Sequence, residues 1–252
     1  MGRPQPEQQA APVQRLRIRY AKRGRARFTS HRDFGRAFER ALRRAGVPMA
    51  YSSGFSPHPR ISYANASPTG AASEAEYLEI GLAEARSPAA VQAALDAALP
   101  PGLDVLEVVE SPPGALADAL TGSRWRVTLV GVDPDDLADA VRSFLDAPAV
   151  PVSRLTKNGL REFDARAAVV ALDCVPGGLE MLLEHGAPLV RPDDVLTGLA
   201  RTSSAFLPAE VPVLTRLAQG RLDRAALEFD SGHTSLPIRP RLSGIRHLQA
   251  GF

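Results

Sequence analysis

The order in which this sequence alternates between strand-like and helix-like periodicity is its strongest constraint on the fold. From residue 14 to residue 110, segments with period-two alternation and segments with apolar residues at helical spacing follow one another as β-α-β-β-α-β. Residues 124–220 repeat roughly the same order with one additional hairpin. This order is the split βαβ pattern. The sequence therefore predicts an α+β fold made of two tandem ferredoxin-like halves with antiparallel sheets.

The segments outside these two predicted domains have compositions that do not suit a packed core. Residues 1–13 are rich in Pro, Gln and Ala and have no periodicity, which predicts a disordered tail. Residues 111–123 begin with a Ser-Pro-Pro-Gly run that is typical of a junction. Residues 221–252 mix Arg, Pro and Gly and are predicted to form an irregular C-terminal tail.

Hydropathy and cysteine content exclude several classes of protein. No run approaches about 18 consecutive apolar residues, so we expect no transmembrane helix and no membrane partner. The N-terminus lacks the apolar segment of a secretory signal. The single cysteine, Cys174, excludes an internal disulfide and any iron–sulfur cluster held by cysteines of this chain alone. Cys174 lies in a predicted strand and is expected to be buried. These features predict a cytoplasmic protein without a cofactor or metal ion.

Basic residues are concentrated in the first quarter of the sequence. Residues 1–60 contain 14 Lys and Arg against 3 Asp and Glu, a balance of +11, whereas the other 192 residues contain 16 against 25, a balance of −9. Such a block indicates a phosphate-bearing partner, of which RNA is the class we expect. The alternative is a solvated face in a sequence whose basic residues are nearly all arginine.

Most of this charge falls on a predicted strand and on the helix after it. The segment Arg15–Tyr20 alternates basic and apolar residues, which predicts a strand with one solvent-exposed positive face. Planar guanidinium groups suit bidentate contact with phosphate. With residues of the following loop, the candidate nucleic-acid contacts are Arg15, Arg17, Arg19, Lys22, Arg23, Arg25, Arg27, Arg32, Arg36, Tyr51, Phe55 and Arg60.

The loop after this helix adds aromatic side chains to the basic block. If Tyr51, Phe55 and the nearby Tyr63 are exposed, they are suited to stack on unpaired bases. The alternative is that they form the edge of the core under the loop. Gly54 among serines offers backbone N–H groups to an anion, although a simple turn explains it better.

Two histidines are the candidates for chemistry. His31 lies in the first turn of the arginine-rich helix with Asp33 beside it, and His58 lies between two prolines of the loop. The pair suits general acid–base catalysis on RNA, or metal binding together with Asp33. The alternative is that His31 assists the helix start and His58 packs against its prolines.

The segment from Tyr20 to Tyr63, YAKRGRARFTSHRDFGRAFERALRRAGVPMAYSSGFSPHPRISY, resembles the start of the radical-SAM-linked domain family, whose function is uncharacterised. Its distinctive parts are the Phe-x-Ser-His-x-Asp helix start and the Tyr-Ser-x-Gly-Phe-x-Pro-His-Pro loop. Shorter matches follow at Ser73–Leu78, Arg154–Asp164 and Arg191–Leu196. The resemblance covers about residues 15–215.

The resemblance implies association with a radical SAM enzyme, as a fused domain or as a separate chain. A radical SAM cluster needs three cysteines, and this chain has only Cys174, so the chain is not expected to cleave S-adenosylmethionine itself. We therefore expect an RNA-binding accessory module that presents structured RNA, such as tRNA or rRNA, to a radical SAM or other RNA-processing enzyme. The alternatives are an RNA-cleaving or RNA-modifying enzyme that uses His31 and His58, and a subunit whose arginine face docks on an acidic protein.

Overall fold

A computed structural model of the protein describes residues 8–156, 159–223 and 228–230. Its helices are α1 (His31–Arg44), α2 (Pro88–Ala98), α3 (Pro134–Asp146) and α4 (Pro192–Thr202). Its strands are β1 (Gln14–Lys22), β2 (Ile61–Ala64), β3 (Ala72–Leu82), β4 (Val105–Glu110), β5 (Gly122–Thr128), β6 (Pro151–Thr156), β7 (Gly159–Asp164), β8 (Val169–Val175), β9 (Gly178–Glu184), β10 (Val213–Asp223) and β11 (Glu228–Asp230). Short 3-10 helices cover Gly24–Phe28, Leu116–Ala119 and Arg166–Ala168.

Nine of the described strands form one sheet. Seven follow the order β4-β1-β3-β10-β5-β9-β8, while β2 pairs with β3 and β11 pairs with β10. All these pairings are antiparallel except that between β3 and β10, where Thr215 and Arg216 lie beside Ala72 and Ser73. The predicted α+β class with a mostly antiparallel sheet is confirmed. The predicted separation into two sheets is not observed, because β10 pairs with both β3 and β5.

The hairpin predicted within the second half is a separate two-stranded sheet, formed by β6 and β7. The C-terminal region differs from the prediction of an irregular tail from residue 221. Strand β10 continues to Asp223 and pairs with β11. The rest of the predicted tail, like residues 1–7 of the predicted N-terminal tail, lies outside the described residues. Residues 8–13 contain no helix or strand.

Local sequence explains where α1 begins and what it buries. The Ser30 hydroxyl accepts a hydrogen bond from the Asp33 N–H at 3.2 Å and caps the helix. Its apolar positions Phe34, Phe38 and Leu42 recur at helical spacing and are buried. Phe34 stacks on Tyr20 of β1 with a centroid distance of 4.5 Å. Strand β1 therefore turns Leu16, Ile18 and Tyr20 toward α1 and α2.

Each pair of helices covers its own part of the sheet. One core cluster contains β1, β3, α1 and α2 residues, and the larger one contains β5, β9, α3 and α4 residues around Trp125 and Phe144. Because side chains alternate along a strand, Arg15, Arg17 and Glu79 point to the face of the first half that α1 and α2 leave uncovered. We call this the open face. The 3-10 helix Leu116–Ala119 covers part of it above Ala75 and Tyr77.

Candidate functional site

A cleft of about 280 Å³ lies on the open face beside the loop between α1 and β2. We call it the loop cleft. It is lined by Pro12, Arg15, Ser52, His58, Pro59, Arg60, Ile61, Ser62, Glu79, Ile80 and Gly81. The predicted candidates Arg15, His58 and Arg60 thus line one cleft, although Arg15 comes from β1 and the other two from the segment before β2. The cleft is close to the lower limit of the volumes that bind small molecules or single nucleotides, roughly 300 Å³.

The loop that forms this cleft is held by its own hydrogen bonds. The Ser52 N–H donates to the His58 carbonyl at 2.9 Å, and the His58 N–H donates to the Ser52 hydroxyl at 3.0 Å. The Arg60 Nε donates to the Tyr51 carbonyl at 3.1 Å. These bonds fix the backbone although most of the loop side chains are exposed. The shape of the cleft is therefore set by hydrogen bonds within the chain itself.

The side chains of the loop cleft favour an anion. Arg15 has no ion pair within the described part of the chain, and the terminal nitrogens of Arg60 have no described partner. Glu79 is the one acidic residue in the lining, and Arg17 and the Ser111 hydroxyl already bind its carboxylate. The cleft therefore presents arginine guanidinium groups whose charge no free carboxylate in the lining balances. It also presents neutral serine hydroxyls as hydrogen-bond donors.

The prediction that β1 has a solvent-exposed positive face is wrong for the central residues of the strand. Arg17 is buried and donates from Nε and Nη2 to Glu79 Oε1 at 3.0 and 2.9 Å. Arg19 Nε lies 3.6 Å from Glu107 Oε2. The carboxylates come from β3 and β4, which flank β1 in the sheet, so non-local pairing neutralises the alternating arginines.

Two further candidates at the end of β1 are also engaged by other groups. Lys22 is buried, and its Nζ donates to the Thr29 carbonyl at 3.3 Å. Burial lowers the pKa of Lys22. Arg23 is exposed but lies 2.7 Å from Asp104 Oδ2, and it also pairs with Glu74. Arg17, Lys22 and Arg23 are thus less available to phosphate than their sequence positions indicate.

Helix α1 retains a row of exposed arginines. Arg32, Arg36, Arg40 and Arg43 are exposed and make no ion pair or hydrogen bond with any described residue; we call them the α1 arginine face. Arg25 is also exposed, and Arg27 lies 4.7 Å above the Phe28 ring. The α1 arginine face and the loop cleft lie on opposite sides of the first half, because α1 packs on the face that Arg15 points away from.

The described contacts do not join the two candidate histidines. The His31 ring meets Tyr63 edge to face at 4.8 Å, whereas His58 lines the loop cleft. Asp33 accepts a hydrogen bond from the Ser30 hydroxyl at 2.7 Å, as part of the helix cap. Acid–base catalysis by His31 and His58 therefore stays a prediction.

The predicted aromatic platform is divided by the structure. Phe55 and Tyr51 are 65% and 39% exposed, which suits contact with a base. Tyr63 instead packs against Phe34 and His31 at the edge of the core. Burial raises the pKa of Tyr63 to about 12.

The sequence pattern did not predict a buried polar cluster where β3 and β10 meet. We call the junction of these two strands the seam. Glu76, Arg216 and Gln219 are each at most 2% exposed. Arg216 Nη1 donates to the Asn65 carbonyl at 2.6 Å, and its Nη2 lies 3.4 Å from Glu76 Oε1. Gln219 Nε2 donates to the Ala75 carbonyl at 3.1 Å. The available signal was Arg216 and Gln219 interrupting the apolar residues at the start of β10.

His185 continues this cluster in the second half. Its Nδ1 lies 2.7 Å from the Leu120 carbonyl, which can only accept, so this nitrogen carries the proton. Its Nε2 lies 2.9 Å from the Ser123 hydroxyl, which accepts from Trp125 Nε1 at 2.8 Å. Burial lowers the pKa of His185, and the nearby Arg216 charge acts in the same direction. Burial and the Arg216 charge therefore both disfavour the protonated imidazolium.

Two other expectations concern cysteine and metal chemistry. Cys174 lies in β8 as predicted but is exposed, so the expectation of a buried thiol is wrong. Its position in β8, the last strand in the sheet order, explains the exposure.

Among the residues that the structure describes, no three His, Cys, Asp or Glu side chains form a group suited to a metal ion. None of the described helices is long and apolar enough to cross a bilayer.

Comparison with known proteins places the chain in a family without a described activity. No curated protein matches it. One family model, described as an uncharacterised protein conserved in bacteria (DUF2344), matches residues 15–192. This match covers β1 through the start of α4, and with them the loop cleft and the α1 arginine face. The chain therefore belongs to the DUF2344 family of uncharacterised bacterial proteins.

Proposed function

We propose that this chain is an RNA-binding accessory module for structured RNA such as tRNA or rRNA, acting in the cytoplasm. The observation that carries the proposal is the α1 arginine face, whose four side chains have no acidic partner within the described chain. The loop cleft supplies a second, donor-rich contact. A structured RNA is large enough to reach both sides of the first half, whereas a small anion is not.

The geometry of the α1 arginine face suits a polyanion. Consecutive members at four-residue spacing lie about 6 Å apart along the helix axis. Arginines at this spacing repel one another and destabilise an isolated helix. A regular row of phosphates relieves that repulsion and releases the counterions of the nucleic acid. The row is therefore better explained by binding than by stability.

The loop cleft is suited to a single unpaired nucleotide. Arg15 and Arg60 are placed to bind its phosphate, and the exposed ring of Phe55, in the same loop as His58, is the group proposed to contact its base. Serine hydroxyls beside them are suited to the 2′-hydroxyl of a ribose. The α1 arginine face would then supply most of the affinity and the loop cleft the selectivity for a structural feature of the RNA.

The proposed architecture behind these surfaces is a pair of ferredoxin-like units. The strand order β4-β1-β3-β2 of the first half and the order β10-β5-β9-β8 of the second half both support it. In each half, the strands met across the sheet are the fourth, first, third and second in chain order. Each set is antiparallel and carries two helices on one face. RNA-binding modules of similar strand and helix order are common, which is analogy at the level of the fold.

Charge reversal on α1 tests the proposal. Arg32→Glu with Arg36→Glu should weaken binding to bulk tRNA and reduce the slope of log affinity against log salt by about 2. The matched control is Arg86→Glu with Arg142→Glu, two exposed arginines on other elements that each already pair with an acidic neighbour. Equal loss of affinity in the two double variants would exclude a specific α1 surface. Absence of RNA binding by the native chain near 150 mM salt would favour an acidic protein as the partner instead.

The partner enzyme is the second part of the proposal. The resemblance to radical-SAM-linked domains supports a radical SAM enzyme, whose three-cysteine cluster the given sequence, with its single cysteine, does not supply. Affinity purification from the bacterial host, followed by mass spectrometry, should recover a chain with a three-cysteine cluster motif. Recovery should fall after ribonuclease treatment if RNA bridges the two chains. If only other RNA-processing enzymes were recovered, the partner would be one of these and not a radical SAM enzyme.

A further inference from the structure

A small cavity opens at the seam between the two halves of the sheet. It measures about 50 Å³ and lies between the loop before β3, the start of β5 and the start of α4. Arg216 and Gln219 of β10 both line it. A register shift between Arg216 and Ala218 allows this, because it places Arg216 opposite Trp125 and Gln219 opposite Ser123 on the same face. Arg191, the residue before α4, lies at its exposed rim.

Two polar atoms of residues that line this cavity have no hydrogen-bond partner among the described residues. Arg216 Nε is an unsatisfied donor and Gln219 Oε1 is an unsatisfied acceptor, although both residues are 2% exposed. Leaving such groups without partners costs about 1–3 kcal/mol each. The other hydrogen bonds of these side chains, to Asn65 and Ala75, fix their orientation. The cavity therefore needs an occupant that accepts one hydrogen bond and donates another.

The charge and the size of the cavity limit which class of ligand fits it. Arg216 and Arg191 line the cavity, with Lys22 near Arg216, and Glu76 is the acidic residue paired with Arg216. The balance of these four groups is positive, and it stays positive when Asp193 and Asp194 of the first turn of α4 and Arg154, the ion-pair partner of Asp194, are included. The start of α4 adds the positive end of a helix dipole. The volume accommodates three or four water-sized oxygens at roughly 10–15 Å³ each, which is the size of a tetrahedral oxyanion.

We propose that the seam cavity binds a phosphate group, with Arg216 Nε and Arg191 donating to its oxygens and Gln219 Oε1 accepting from a protonated oxygen. The Arg216 guanidinium lies 4.8 Å above the Trp125 ring, so its donor edge is held in place. Sulfate has the same shape but carries no proton at neutral pH. The site should therefore prefer phosphate to sulfate through Gln219.

Trp125 is the only tryptophan of the chain and reports directly on the cavity. Titration with inorganic phosphate should give a saturable change in tryptophan fluorescence, with sulfate about tenfold weaker and sodium chloride of equal ionic strength without effect. Arg191→Gln, an exposed change, should weaken phosphate binding about tenfold, which is the loss of one charge-assisted hydrogen bond. Arg142→Gln on α3 is the matched control and should bind as the native chain does.

The Gln219→Leu variant tests the acceptor. It should lose the preference for phosphate over sulfate while circular dichroism shows a folded chain. No saturable change with the native chain, or equal responses of Arg191→Gln and Arg142→Gln, would overturn the proposal. Arg32→Glu with Arg36→Glu should leave phosphate binding unchanged, so failure of the proposed RNA surface and failure of this site are distinguishable.

The phosphate has two sources with the same chemistry, a free ion and the terminal phosphate of an RNA. A short RNA with a 5′-phosphate should compete with inorganic phosphate better than the same RNA with a 5′-hydroxyl if the terminus occupies the cavity. Equal competition by the two RNAs identifies the free ion as the ligand. If neither RNA competes although phosphate binding is saturable, the ligand is likewise the free ion.

Discussion

The ion pair between Arg17 and Glu79 ties two neighbouring strands together at a buried position. Its side chains are 6% and 10% exposed. Arg17→Met should lower the free energy of unfolding by about 3–5 kcal/mol, because it leaves the Glu79 carboxylate buried without its cation. Arg17→Met with Glu79→Leu should recover most of this loss, because no buried charge remains. Urea unfolding followed by circular dichroism measures both changes.

The exposed pair Arg142–Asp139 is the control for this measurement. Its side chains are 67% and 65% exposed, so Arg142→Met should cost less than about 1 kcal/mol. An equally small loss for Arg17→Met would show that Glu79 is hydrated or protonated in the variant, and would contradict the assignment of a buried pair.

His185 makes stability depend on pH. Its pKa in the folded chain lies below the ordinary 6.5 because the ring is buried. As pH falls below 6.5, the unfolded chain binds a proton that the folded chain does not, so the free energy of unfolding falls. His185→Gln should flatten this part of the pH profile, as measured by urea unfolding between pH 7 and pH 5. An unchanged slope would mean that His185 protonates in the folded chain as readily as in the unfolded one.

At the scale of single residues, the sequence predicted backbone geometry better than side-chain environment. The alternation from Arg15 to Tyr20 gave a strand with Leu16 and Ile18 on its buried face, as observed. It could not show that Glu79 and Glu107, more than 60 residues away, neutralise Arg17 and Arg19. The same limit hid the seam cluster, whose members come from strands far apart in the chain.

At the scale of elements, alanine substitution of two glycines inside helices should change the stability of the protein in opposite directions. A Cβ on Gly35 of α1 would meet only the Tyr63 hydroxyl at 3.6 Å, so Gly35→Ala should stabilise the protein by about 1 kcal/mol through helix propensity. A Cβ on Gly198 of α4 would lie 2.6 Å from the Phe144 ring and 3.0 Å from Val150, both buried. Gly198→Ala should therefore destabilise it by about 1–3 kcal/mol.

Thermal unfolding of the two alanine variants checks this pair, and each serves as the control for the other. Stabilisation by both would mean that α3 and α4 move apart without cost, in conflict with the packing described for the larger core. Destabilisation by both would mean that α1 packs more tightly around Gly35 than the distance to Tyr63 indicates.

Elements with strong local signals were predicted well. The capping residue Ser30, the apolar stripe of α1 and the Ser87-Pro88 start of α2 are local features, and the helices begin there. The prediction could not place the loop cleft, because its shape depends on Arg15 and Glu79 meeting the loop across the open face. Sequence periodicity fixes which side of a strand a residue occupies but not what lies opposite.

At the scale of the molecule, the continuous sheet predicts cooperative unfolding. Strand β10 pairs with β3 of the first half and β5 of the second, and Arg216 joins groups from both. Urea transitions followed by Trp125 fluorescence, which reports on the second half, and by circular dichroism, which reports on both, should therefore coincide. Two separated transitions would show that the seam contributes little to stability.

The sequence predicted the order of elements from β1 to β10 but not their union into one sheet. Element order follows from local periodicity, which each half contains by itself. Joining the halves depends on two residue pairs between β3 and β10, at a separation of 143 residues (215 − 72), and no local pattern encodes that contact.

The pairing of β10 with β3 also sets an order of events during synthesis. A nascent chain that has reached Leu120 already contains β1 to β4 with α1 and α2, but Ala72 and Ser73 lack their β10 neighbour and Glu76 has no cation from β10. These groups remain hydrated until the ribosome has made residues 213–223. The first half can therefore assemble early, but the Glu76 carboxylate leaves water only when β10 arrives.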